Sequence, residues 1–445
     1  MESYVDYFKG KKITVLGLGL LGRGVGDVGF LAQCGAQVLV TDKKSEAELA
    51  ESVAKLKKYP HITFRLGGHH KEDFEKCDLV IKSAGVRLDS PEIATARAAG
   101  VPVTMSTALF AKYAMASGAR IIGVTGTRGK TTVAHMIYST LRETGGWRVH
   151  LGGNVRGIST LAMLPIVKKD DVVVLELDSW QLQGFGDLRI SPNIAVFTNL
   201  MLDHQNYYKT VDEYFADKAN IFAFQKESDV LICGRNIAAM IESSGPFRTR
   251  RVLNGPVIPE PISSDWQLQI PGEHNRENAA LAAAVLFALG LTADKICEGL
   301  TTFKGVEGRL QFVREVNGIQ IYNDNNATTP EATIAALRAL HDGGPTSIIL
   351  IVGGSDKGLD MKELVAEIKR SCNAVVLLAG TGTDTIKEAL PNAQMFDTLD
   401  AAFAAALGVA QSGDTVLFSP AFASFGMFKN EYDRNDQFMS LARAL

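Results

Sequence analysis

Two glycine-rich segments of the chain have the residue types and spacing that bind phosphate groups. The first is Gly17-Leu-Gly-Leu-Leu-Gly22, and it follows the apolar run 13–16 directly. The second is Thr125-Gly-Thr-Arg-Gly-Lys-Thr-Thr132, and it follows the apolar run 121–124. A strand that ends in glycines before a helix directs backbone N–H groups and the positive end of the helix dipole at an anion. The chain is therefore expected to bind two phosphate-bearing ligands.

Only the second segment contains a lysine, Lys130, and this residue type can follow a phosphoryl group during its transfer. The hydroxyl of the next residue, Thr131, is the kind of oxygen ligand that Mg²⁺ prefers. The match to the general P-loop pattern is off by one position, because Val124 stands where a glycine is usual. We interpret the segment as an ATP-binding loop, and its candidate residues are Gly126, Thr127, Gly129, Lys130, Thr131 and Thr132.

Two later strand patterns end in side chains that could hold a metal ion. Glu176 closes the apolar run 172–175, and Asp203-His204 follows the strand pattern 194–198. A carboxylate in an apolar strand is costly unless it is paired or bound to metal. The alternatives are a solvated glutamate at the strand end and an ordinary loop histidine. From the residues alone, Lys218 on the following helix is a plain surface lysine.

The first glycine segment is open to three interpretations. Asp42 lies 20 residues beyond Gly22, at the end of a second strand, and this spacing fits a nicotinamide dinucleotide site. The turn could instead bind no ligand, or it could hold the diphosphate of another nucleotide, with Asp42 and Lys44 near the base or ribose. A further turn of small residues, Ser83–Gly85, follows another apolar strand. The presence of a second phosphate loop favours the other nucleotide.

The alternation of short apolar runs with helical patterns predicts an α/β protein with parallel sheets. We expect three domains: a Rossmann-like domain at 1–107, a central P-loop ATPase-type domain at 108–305 and a Rossmann-like domain at 306–445. The last begins with a hairpin that turns at Asn317-Gly318. The predicted strands are 13–16, 37–41, 79–82, 121–124, 172–177, 194–198, 229–232, 348–352, 374–379 and 415–418.

The composition limits the partners and the compartment. The 46 basic and 49 acidic residues among 445 give no reason to expect a nucleic-acid partner. Five scattered cysteines without a Cys-x-x-Cys pair are typical of a reducing compartment. The acidic start of the chain does not look like a signal peptide, and no run is long enough to span a membrane. We expect a cytoplasmic protein that does not bind membranes.

As a set, the second glycine segment, Glu176, Asp203-His204 and later motifs resemble the Mur ligases, the ATP-dependent amide-bond formers of peptidoglycan precursor synthesis. The later motifs are Gly272-Glu-His-Asn275-x-x-Asn278, Gly308-Arg309, Asp324-Asn-Asn-Ala-Thr328 and the segment 419–430. Together with Gly17–Gly22 and the segment 83–92, they are most similar to the branch of the family that adds D-glutamate to UDP-N-acetylmuramoyl-L-alanine. The resemblance covers the whole chain.

The resemblance implies a role for each matching residue and a monomeric enzyme that uses ATP and two Mg²⁺ ions. Catalysis would involve Lys130, Glu176, His204 and Lys218, and the magnesium ions would be held by Thr131, Glu176, His204 and Lys218, the last as a carbamate. Besides the P-loop, ATP would be held by Asn275, Asn278, Arg309 and Asp324. The UDP-linked substrate would contact Gly17, Leu18, Gly19, Gly22, Asp42, Lys44, Ser83, Gly85 and Asn154, and the amino acid would contact Thr328, Lys357, Ser424 and Phe425.

Several positions depart from the family pattern, and most of them bear on the amino acid. Asn325 and Asn326 stand where serine and lysine are usual, and Gly426 stands where aspartate is usual. Glu431 takes a position that is normally aromatic. The loss of a lysine and the gain of a glutamate remove positive charge where a dicarboxylate should bind. Beside Glu176, Asp178 replaces a usual serine and Trp180 a usual phenylalanine.

The implied reaction requires the enzyme to neutralise the negative charge of its substrates and to align them, and it requires no enzyme nucleophile. Three alternatives are a nicotinamide-dependent dehydrogenase that uses the first glycine loop, a different Mur-type or folylpolyglutamate-type ligase, and a nucleotide sensor without catalysis. The dehydrogenase leaves the second loop, Glu176 and His204 without a role. A sensor would not need the metal-binding residues.

Overall fold

The structure is a computed structural model, and it describes residues 2–19, 22–201, 203, 207–244, 260, 262–341 and 347–445. The chain forms two compact units, which are Met1–Glu260 with Ala280–Ile296 and Pro261–Ala279 with Cys297–Leu445. Two parallel sheets lie in the first unit and one mixed sheet lies in the second. The predicted α/β fold is thereby confirmed. In the described part of the chain, no helix has both the length and the apolar character needed to cross a membrane.

The first sheet consists of five parallel strands: β1 (Lys12–Leu16), β2 (Gln37–Asp42), β3 (Ile62–Leu66), β4 (Leu79–Lys82) and β5 (Val103–Thr104). Their spatial order is β3-β2-β1-β4-β5, so the order reverses at β1. The first glycine segment follows β1 and lies where ligands of open α/β sheets bind. The helices of this region are α1 (Tyr4–Phe8), α2 (Arg23–Gln33), α3 (Ala50–Leu56), α4 (Glu72–Glu75), α5 (Pro91–Ala98) and α6 (Ser106–Ala116).

The second sheet also has five parallel strands: β6 (Arg120–Thr125), β7 (Val149–Gly153), β8 (Val172–Glu176), β9 (Ile194–Phe197) and β10 (Val230–Cys233). The order β10-β9-β6-β8-β7 places β6 at the centre, so the second glycine segment also follows the strand at which the order reverses. The helices that follow these strands are α7 (Lys130–Glu143), α8 (Ser179–Leu188), α9 (Val211–Ala219) and α10 (Ala238–Ser243). They are followed by α11 (Glu273–Ala288) and α12 (Ala293–Thr301).

The third sheet has six strands: β11 (Gln311–Val316), β12 (Ile319–Asn323), β13 (Ile348–Gly353), β14 (Cys372–Leu378), β15 (Gln394–Phe396) and β16 (Thr415–Phe418). The order is β11-β12-β16-β13-β14-β15, and the edge strand β11 is antiparallel to β12. The predicted hairpin is confirmed, with Asn317 and Gly318 at positive φ angles in its turn. The helices are α13 (Pro330–Leu340), α14 (Lys362–Ser371), α15 (Leu399–Val409) and α16 (Glu431–Ala444).

One hydrophobic core lies beneath both sheets of the first unit. Phe8 and Val28 from the first sheet's layer belong to the same buried cluster as Leu175 and Phe197 from the second. Helix α6 also belongs to this cluster, and the predicted domain boundary at residue 107 falls inside it. The boundaries 1–107, 108–305 and 306–445 therefore stay a prediction, although each predicted domain contains one of the three sheets.

Candidate active site

The first glycine loop is held in shape by the carboxylate of Asp42, which ends β2 and is 8% exposed. Its Oδ2 accepts hydrogen bonds from the backbone N–H of Leu18 at 2.9 Å and of Gly19 at 3.5 Å. Its Oδ1 accepts one from the backbone N–H of Lys44 at 3.0 Å. Both oxygens are therefore engaged with the protein backbone. In this structure Asp42 organises the loop, and its contact with a base or ribose stays a prediction.

The glycine loop and the Ser83–Gly85 turn border the same cavity of about 260 Å³. Gly17 has a φ of 90°, and a Cβ atom there would lie 2.5 Å from the Ser83 hydroxyl oxygen. Any larger residue would therefore push the two turns apart. Gly22, with a φ of 81°, begins helix α2 in the left-handed conformation that glycine adopts without strain. The structure thus brings together the loop and turn predicted for the UDP-linked substrate.

Replacing Asp42 by asparagine is expected to lower the free energy of unfolding by about 1–2 kcal/mol and to weaken UDP binding about tenfold. An asparagine side chain has one acceptor oxygen where the carboxylate has two, so either the Lys44 N–H or the N–H groups of Leu18 and Gly19 lose their acceptor. Urea unfolding and calorimetric titration with UDP measure the two effects. The matched control is Asp78→Asn, because the Asp78 carboxylate accepts the backbone N–H of Lys12 at the start of β1. Unchanged UDP affinity in the Asp42 variant would contradict this role.

Asn154 connects the first glycine helix with the second sheet. Its Oδ1 accepts a hydrogen bond at 2.8 Å from Nη1 of Arg23, the first residue of α2. Its backbone N–H donates to the carbonyl oxygen of Glu176 at 2.7 Å. Asp27, four residues further along α2, is half-buried and accepts a 2.6 Å hydrogen bond from the Ser159 hydroxyl. Desolvation raises the pKa of this carboxyl group. Sequence reasoning missed Arg23 because its partner lies 131 residues away.

The second glycine segment forms a tight loop between β6 and α7. At Gly126 a Cβ atom would lie 2.0 Å from the Thr198 hydroxyl oxygen, so only glycine fits. The backbone N–H of Thr127 donates to the carbonyl oxygen of Asn199, and the N–H of Arg128 donates to the side-chain Oδ1 of Asn199, both at 2.9 Å. Sequence reasoning missed Asn199, although it follows β9 at the same sheet edge and that position could have identified it.

Helix α7 begins directly after the loop. Gly129 has a φ of 80° and precedes the first helical residue, Lys130. Thr131 and Thr132 follow in the first turn, and both are half-buried. The helix N-terminus and the loop amides together form the kind of anion site that the sequence predicts. The structure therefore brings all six predicted P-loop residues into one turn.

Two lysines converge on one carbonyl oxygen of this loop. Lys130 Nζ donates to the Gly126 carbonyl at 3.0 Å and to the Thr127 carbonyl at 3.1 Å. Lys218 Nζ donates to the same Gly126 carbonyl at 2.8 Å and approaches the Thr125 hydroxyl at 3.4 Å. The helix residue that the sequence alone suggests to be a surface lysine therefore lies at the phosphate loop.

Lys218 is buried in a site that disfavours a positive charge. Its side chain is 1% exposed, and its ammonium nitrogen lies 4.6 Å from the centre of the Tyr214 ring. Burial, and then the neighbouring charge of Lys130, lower the pKa of Lys218 well below its ordinary value. The carboxylates of Asp178, Asp203 and Asp217 act in the opposite direction. Burial therefore outweighs the attraction of these carboxylates, and the net effect is a lowered pKa for Lys218.

Glu176 lies beside the strand that leads into the phosphate loop. It pairs with Val124 of β6 on one side and with Gly153 of β7 on the other, and it is 3% exposed. Asp203 acts electrostatically on Lys218, whereas His204 lies outside the described residues. A buried carboxylate next to a threonine-bearing P-loop offers the oxygen ligands that suit Mg²⁺.

The described residues at the phosphate loop offer only a few protein ligands for a metal ion. Within the described ranges, no group of three or more His, Cys, Asp or Glu side chains is arranged to hold a metal ion. Mg²⁺ keeps several waters and binds substrate phosphates, so one or two protein ligands are sufficient for it. The residues present at the phosphate loop fit such an ion.

In the second unit, Asp324 is the buried acid predicted to contact ATP. It follows β12, and its carboxylate accepts hydrogen bonds from the Leu310 backbone N–H at 3.0 Å and the Ser419 hydroxyl at 2.8 Å. Burial raises its pKa to about 7, although these hydrogen bonds and the charge of Arg309 oppose the shift. The structure thus places Arg309 and Asp324 close together. Ser419, which sequence reasoning gave no individual role, connects them to the end of β16.

The residues predicted to bind the amino acid lie on loops that follow β12, β13 and β16. Lys357 Nζ donates to the Thr328 hydroxyl at 3.1 Å. The loop with Ser424 and Phe425 is joined to the β13 loop through Ser355, which exchanges backbone hydrogen bonds with Ala423. Ser424 is buried, whereas the Phe425 ring is 65% exposed. The structure therefore brings Thr328, Lys357, Ser424 and Phe425 to one edge of the third sheet.

Asn275 and Asn278 lie in the first turns of α11 and are both buried. The Asn275 side-chain amide donates to the Pro271 carbonyl at 2.7 Å, and Asn278 donates to Asn275 Oδ1 at 3.2 Å. Both belong to the second unit, as do Arg309 and Asp324, whereas the P-loop belongs to the first. The predicted ATP-binding residues are therefore distributed over the two units.

Comparison with known proteins places each sheet in a recognised domain family. Residues 11–105 match the family described as Mur ligase MurD-like, N-terminal domain. Residues 124–255 match the Mur ligase middle domain, and residues 308–422 match the Mur ligase, glutamate ligase domain. All three predicted regions are thus represented.

The chain is also similar to complete proteins and solved structures. A UDP-N-acetylmuramoylalanine–D-glutamate ligase from Roseiflexus sp. is 35% identical over 471 residues, with 98% of this chain and 99% of that protein covered. One from Borreliella afzelii is 33% identical, with 99% of each covered.

The fold of UDP-N-acetylmuramate-alanine ligase from Thermotoga maritima matches with a TM-score of 0.61 at 19% identity, covering 98% of this chain and 99% of that one. MurF from Acinetobacter baumannii matches with a TM-score of 0.57 at 16% identity, covering 99% and 93%. These two likenesses concern the fold, whereas the curated relatives are similar in sequence over their full length. Together with the three domain matches, they establish that the chain belongs to the Mur ligase family.

Proposed function

We propose that this protein is an ATP-dependent ligase that joins D-glutamate to the carboxyl group of UDP-N-acetylmuramoyl-L-alanine. The observation that carries the proposal is the convergence of Lys130 and buried Lys218 on the Gly126 carbonyl, beside Glu176. A phosphate loop with a second, fully buried amine at its base suits metal-assisted phosphoryl transfer better than nucleotide sensing. The relatives that carry this activity in their names support the choice of substrates.

The chemistry proceeds in two displacements. A carboxylate oxygen of the muropeptide attacks the γ-phosphorus of ATP, the bond to the bridging oxygen breaks, and ADP leaves. The amine of the amino acid then attacks the acyl carbon, the bond to the phosphate oxygen breaks, and the nitrogen loses a proton. Lys130 and the amides of the P-loop neutralise the charge that develops on the transferred group.

The P-loop residues 126–132 hold the phosphates of ATP, and Asn275, Asn278, Arg309 and Asp324 hold the rest of the nucleotide. Thr131, Glu176, His204 and Lys218, the last as a carbamate, would hold two Mg²⁺ ions, and the ions would supply neutralisation of the phosphate charge. A carbamate converts the buried amine into an anion, and the lowered pKa of Lys218 supports its formation because only a neutral amine adds to CO₂.

The UDP-linked substrate occupies the cavity between the first glycine loop and the Ser83–Gly85 turn, and Asn154 contacts its sugar-peptide part. Thr328, Lys357, Ser424 and Phe425 receive the amino acid. We further propose the domain limits 1–107, 108–305 and 306–445, a cytoplasmic location and a monomeric state. A nicotinamide-dependent dehydrogenase is disfavoured because it gives the second phosphate loop and the buried Glu176 no role.

The second candidate is a ligase for a different amino acid, and the presence of Asn326 and Glu431 favours it. Phosphate release measured with ATP and UDP-N-acetylmuramoyl-L-alanine, while D- and L-amino acids are varied, distinguishes the two. We expect D-glutamate to give the highest kcat/KM. A higher value for a neutral or basic amino acid would assign the chain to the second candidate. No phosphate release with any amino acid would overturn both.

A further inference from the structure

The largest fully buried polar side chain of the second unit belongs to Arg434 in helix α16. Its guanidinium is 0% exposed. Nε donates to Asn325 Oδ1 at 2.8 Å, Nη2 donates to the Asn325 carbonyl at 2.8 Å, and Nη1 donates to the Phe422 carbonyl at 3.1 Å. All three acceptors are uncharged. An arginine is normally buried with a carboxylate partner, because an unpaired buried charge is costly.

No carboxylate of the described residues lies within ion-pair distance of Arg434. Glu431, one turn earlier on the same helix, acts on Arg434 electrostatically, but only its backbone carbonyl is bonded, to the Asn325 amide at 2.9 Å. Burial lowers the pKa of Arg434 to about 10, so the group keeps its charge at neutral pH. The cation is therefore neutralised by no direct partner in the described part of the second unit.

The hydrogen bonds of Arg434 hold the two loops that carry the predicted amino-acid contacts. Asn325 belongs to the loop that leads to Thr328, and Phe422 belongs to the loop that leads to Ser424 and Phe425. The same two loops are joined by the Ala421 N–H, which donates to the Ala327 carbonyl at 2.9 Å. The uncompensated charge thus lies directly behind the loops where the amino acid is proposed to bind.

Two departures from the family pattern lie next to this charge. Asn326 replaces a lysine, which removes a cation from the first loop, and Gly426 replaces an aspartate, which removes an anion from the second. A Cβ atom at Gly426 would meet only the Ser355 hydroxyl oxygen at 3.6 Å, so there is space for a side chain, but the φ of 93° is one that glycine adopts without strain. Arg434 supplies a fixed positive charge behind these loops, and Lys357 supplies another at their surface.

We infer that Arg434 is a positioning residue that sets the preference of the amino-acid site for an anionic side chain, an inference that rests on the proposed function. It orients the two loops through Asn325 and Phe422. Its positive charge attracts the side-chain carboxylate of the amino acid through a buried region where screening is weak. This attraction replaces the one that a lysine at position 326 would supply. A dicarboxylate is therefore bound in preference to its neutral amide.

The test compares D-glutamate with D-glutamine, which has the same shape but an uncharged side chain, in the phosphate-release assay. We expect Arg434→Met to lower the ratio of the two kcat/KM values about tenfold, and Arg434→Lys to preserve most of it. Arg443→Met is the matched control, because Arg443 lies on the same helix with an exposed side chain, and it should leave the ratio unchanged. A purely structural role would slow both substrates equally.

A second variant keeps the inference testable if Arg434→Met does not fold. Asn326→Lys restores the family's cation and should raise the D-glutamate to D-glutamine ratio about tenfold in the wild-type background. If the wild-type protein ligates D-glutamate but neither Arg434→Met nor Asn326→Lys moves the ratio, the inference is wrong and the proposed function stands. If the wild-type protein ligates no amino acid, the proposed function is wrong and the inference falls with it.

Discussion

Replacing Lys130 by alanine lowers kcat by about 10²- to 10³-fold in the ligase assay. In the structure the Lys130 ammonium donates to two loop carbonyls, which places it at the proposed phosphate site. It can exchange these neutral acceptors for phosphate oxygens, which are stronger partners because they are charged. Without it, the charge that develops during phosphoryl transfer is stabilised only by the amides and the metal ions.

The loss must be distinguished from a loss of folding. Lys130 is half-buried and donates hydrogen bonds to two backbone carbonyls, and the loss of these bonds should cost about 1–2 kcal/mol of unfolding free energy. Urea unfolding of the variant measures this. The phosphate-release rate at saturating substrates measures kcat. A variant that is folded and ligates at the wild-type rate would contradict the role of the phosphate loop.

The second large effect is expected at Lys218. Arginine keeps a basic side chain at this position but cannot form a carbamate, and we expect kcat to fall by about 10²-fold or more. Wild-type protein incubated with ¹³C-labelled bicarbonate should show one slowly exchanging carbamate resonance that is missing in Lys218→Arg. Lys209→Arg is the matched control, since Lys209 is an exposed lysine shortly before the same helix. An active Lys218→Arg variant would show that no carbamate is needed.

Removal of the Lys218 amine should abolish activity without lowering the stability of the protein. A buried amine is costly, and the Gly126 carbonyl that it contacts keeps a hydrogen bond from Lys130 when Lys218 is removed. Lys218→Met should therefore be inactive and yet unfold at a urea concentration no lower than that of the wild-type protein. A marked loss of stability would mean that the amine mainly holds the loop together.

Much of the fold could be predicted from the sequence because long apolar runs mark buried parallel strands. The ten strands predicted by number and the hairpin at Asn317-Gly318 all occur in the structure. The strands that were missed are β3, β5, β7 and β15. Of these, β5 has two residues, β15 has three mostly exposed residues, and β7 ends in two glycines. Such segments form strands because a neighbouring strand pairs with them. This pairing is a long-range contact that the local sequence does not reveal.

The sequence predicts the candidate site where local residue spacing determines the geometry. It does not predict the orientation of a side chain or a contact between residues that are far apart in the chain. The position of Lys130 after the loop follows from the motif. The structure shows Asp42 bonded to the backbone of the first glycine loop, and sequence spacing does not tell which way a carboxylate points. Lys218 has no local signal, and only the resemblance identified it. Arg434 lies on a helix with many polar residues, and nothing in that pattern indicates a fully buried side chain.

The most direct test of the central claim follows the oxygen atoms of the substrate carboxylate. UDP-N-acetylmuramoyl-L-alanine labelled with ¹⁸O in both carboxylate oxygens is incubated with ATP and D-glutamate, and the released phosphate is analysed by mass spectrometry. If the carboxylate attacks the γ-phosphorus, each phosphate carries one ¹⁸O atom. Phosphate without ¹⁸O, released while the amide forms, would show that no acyl phosphate is made and would contradict the account.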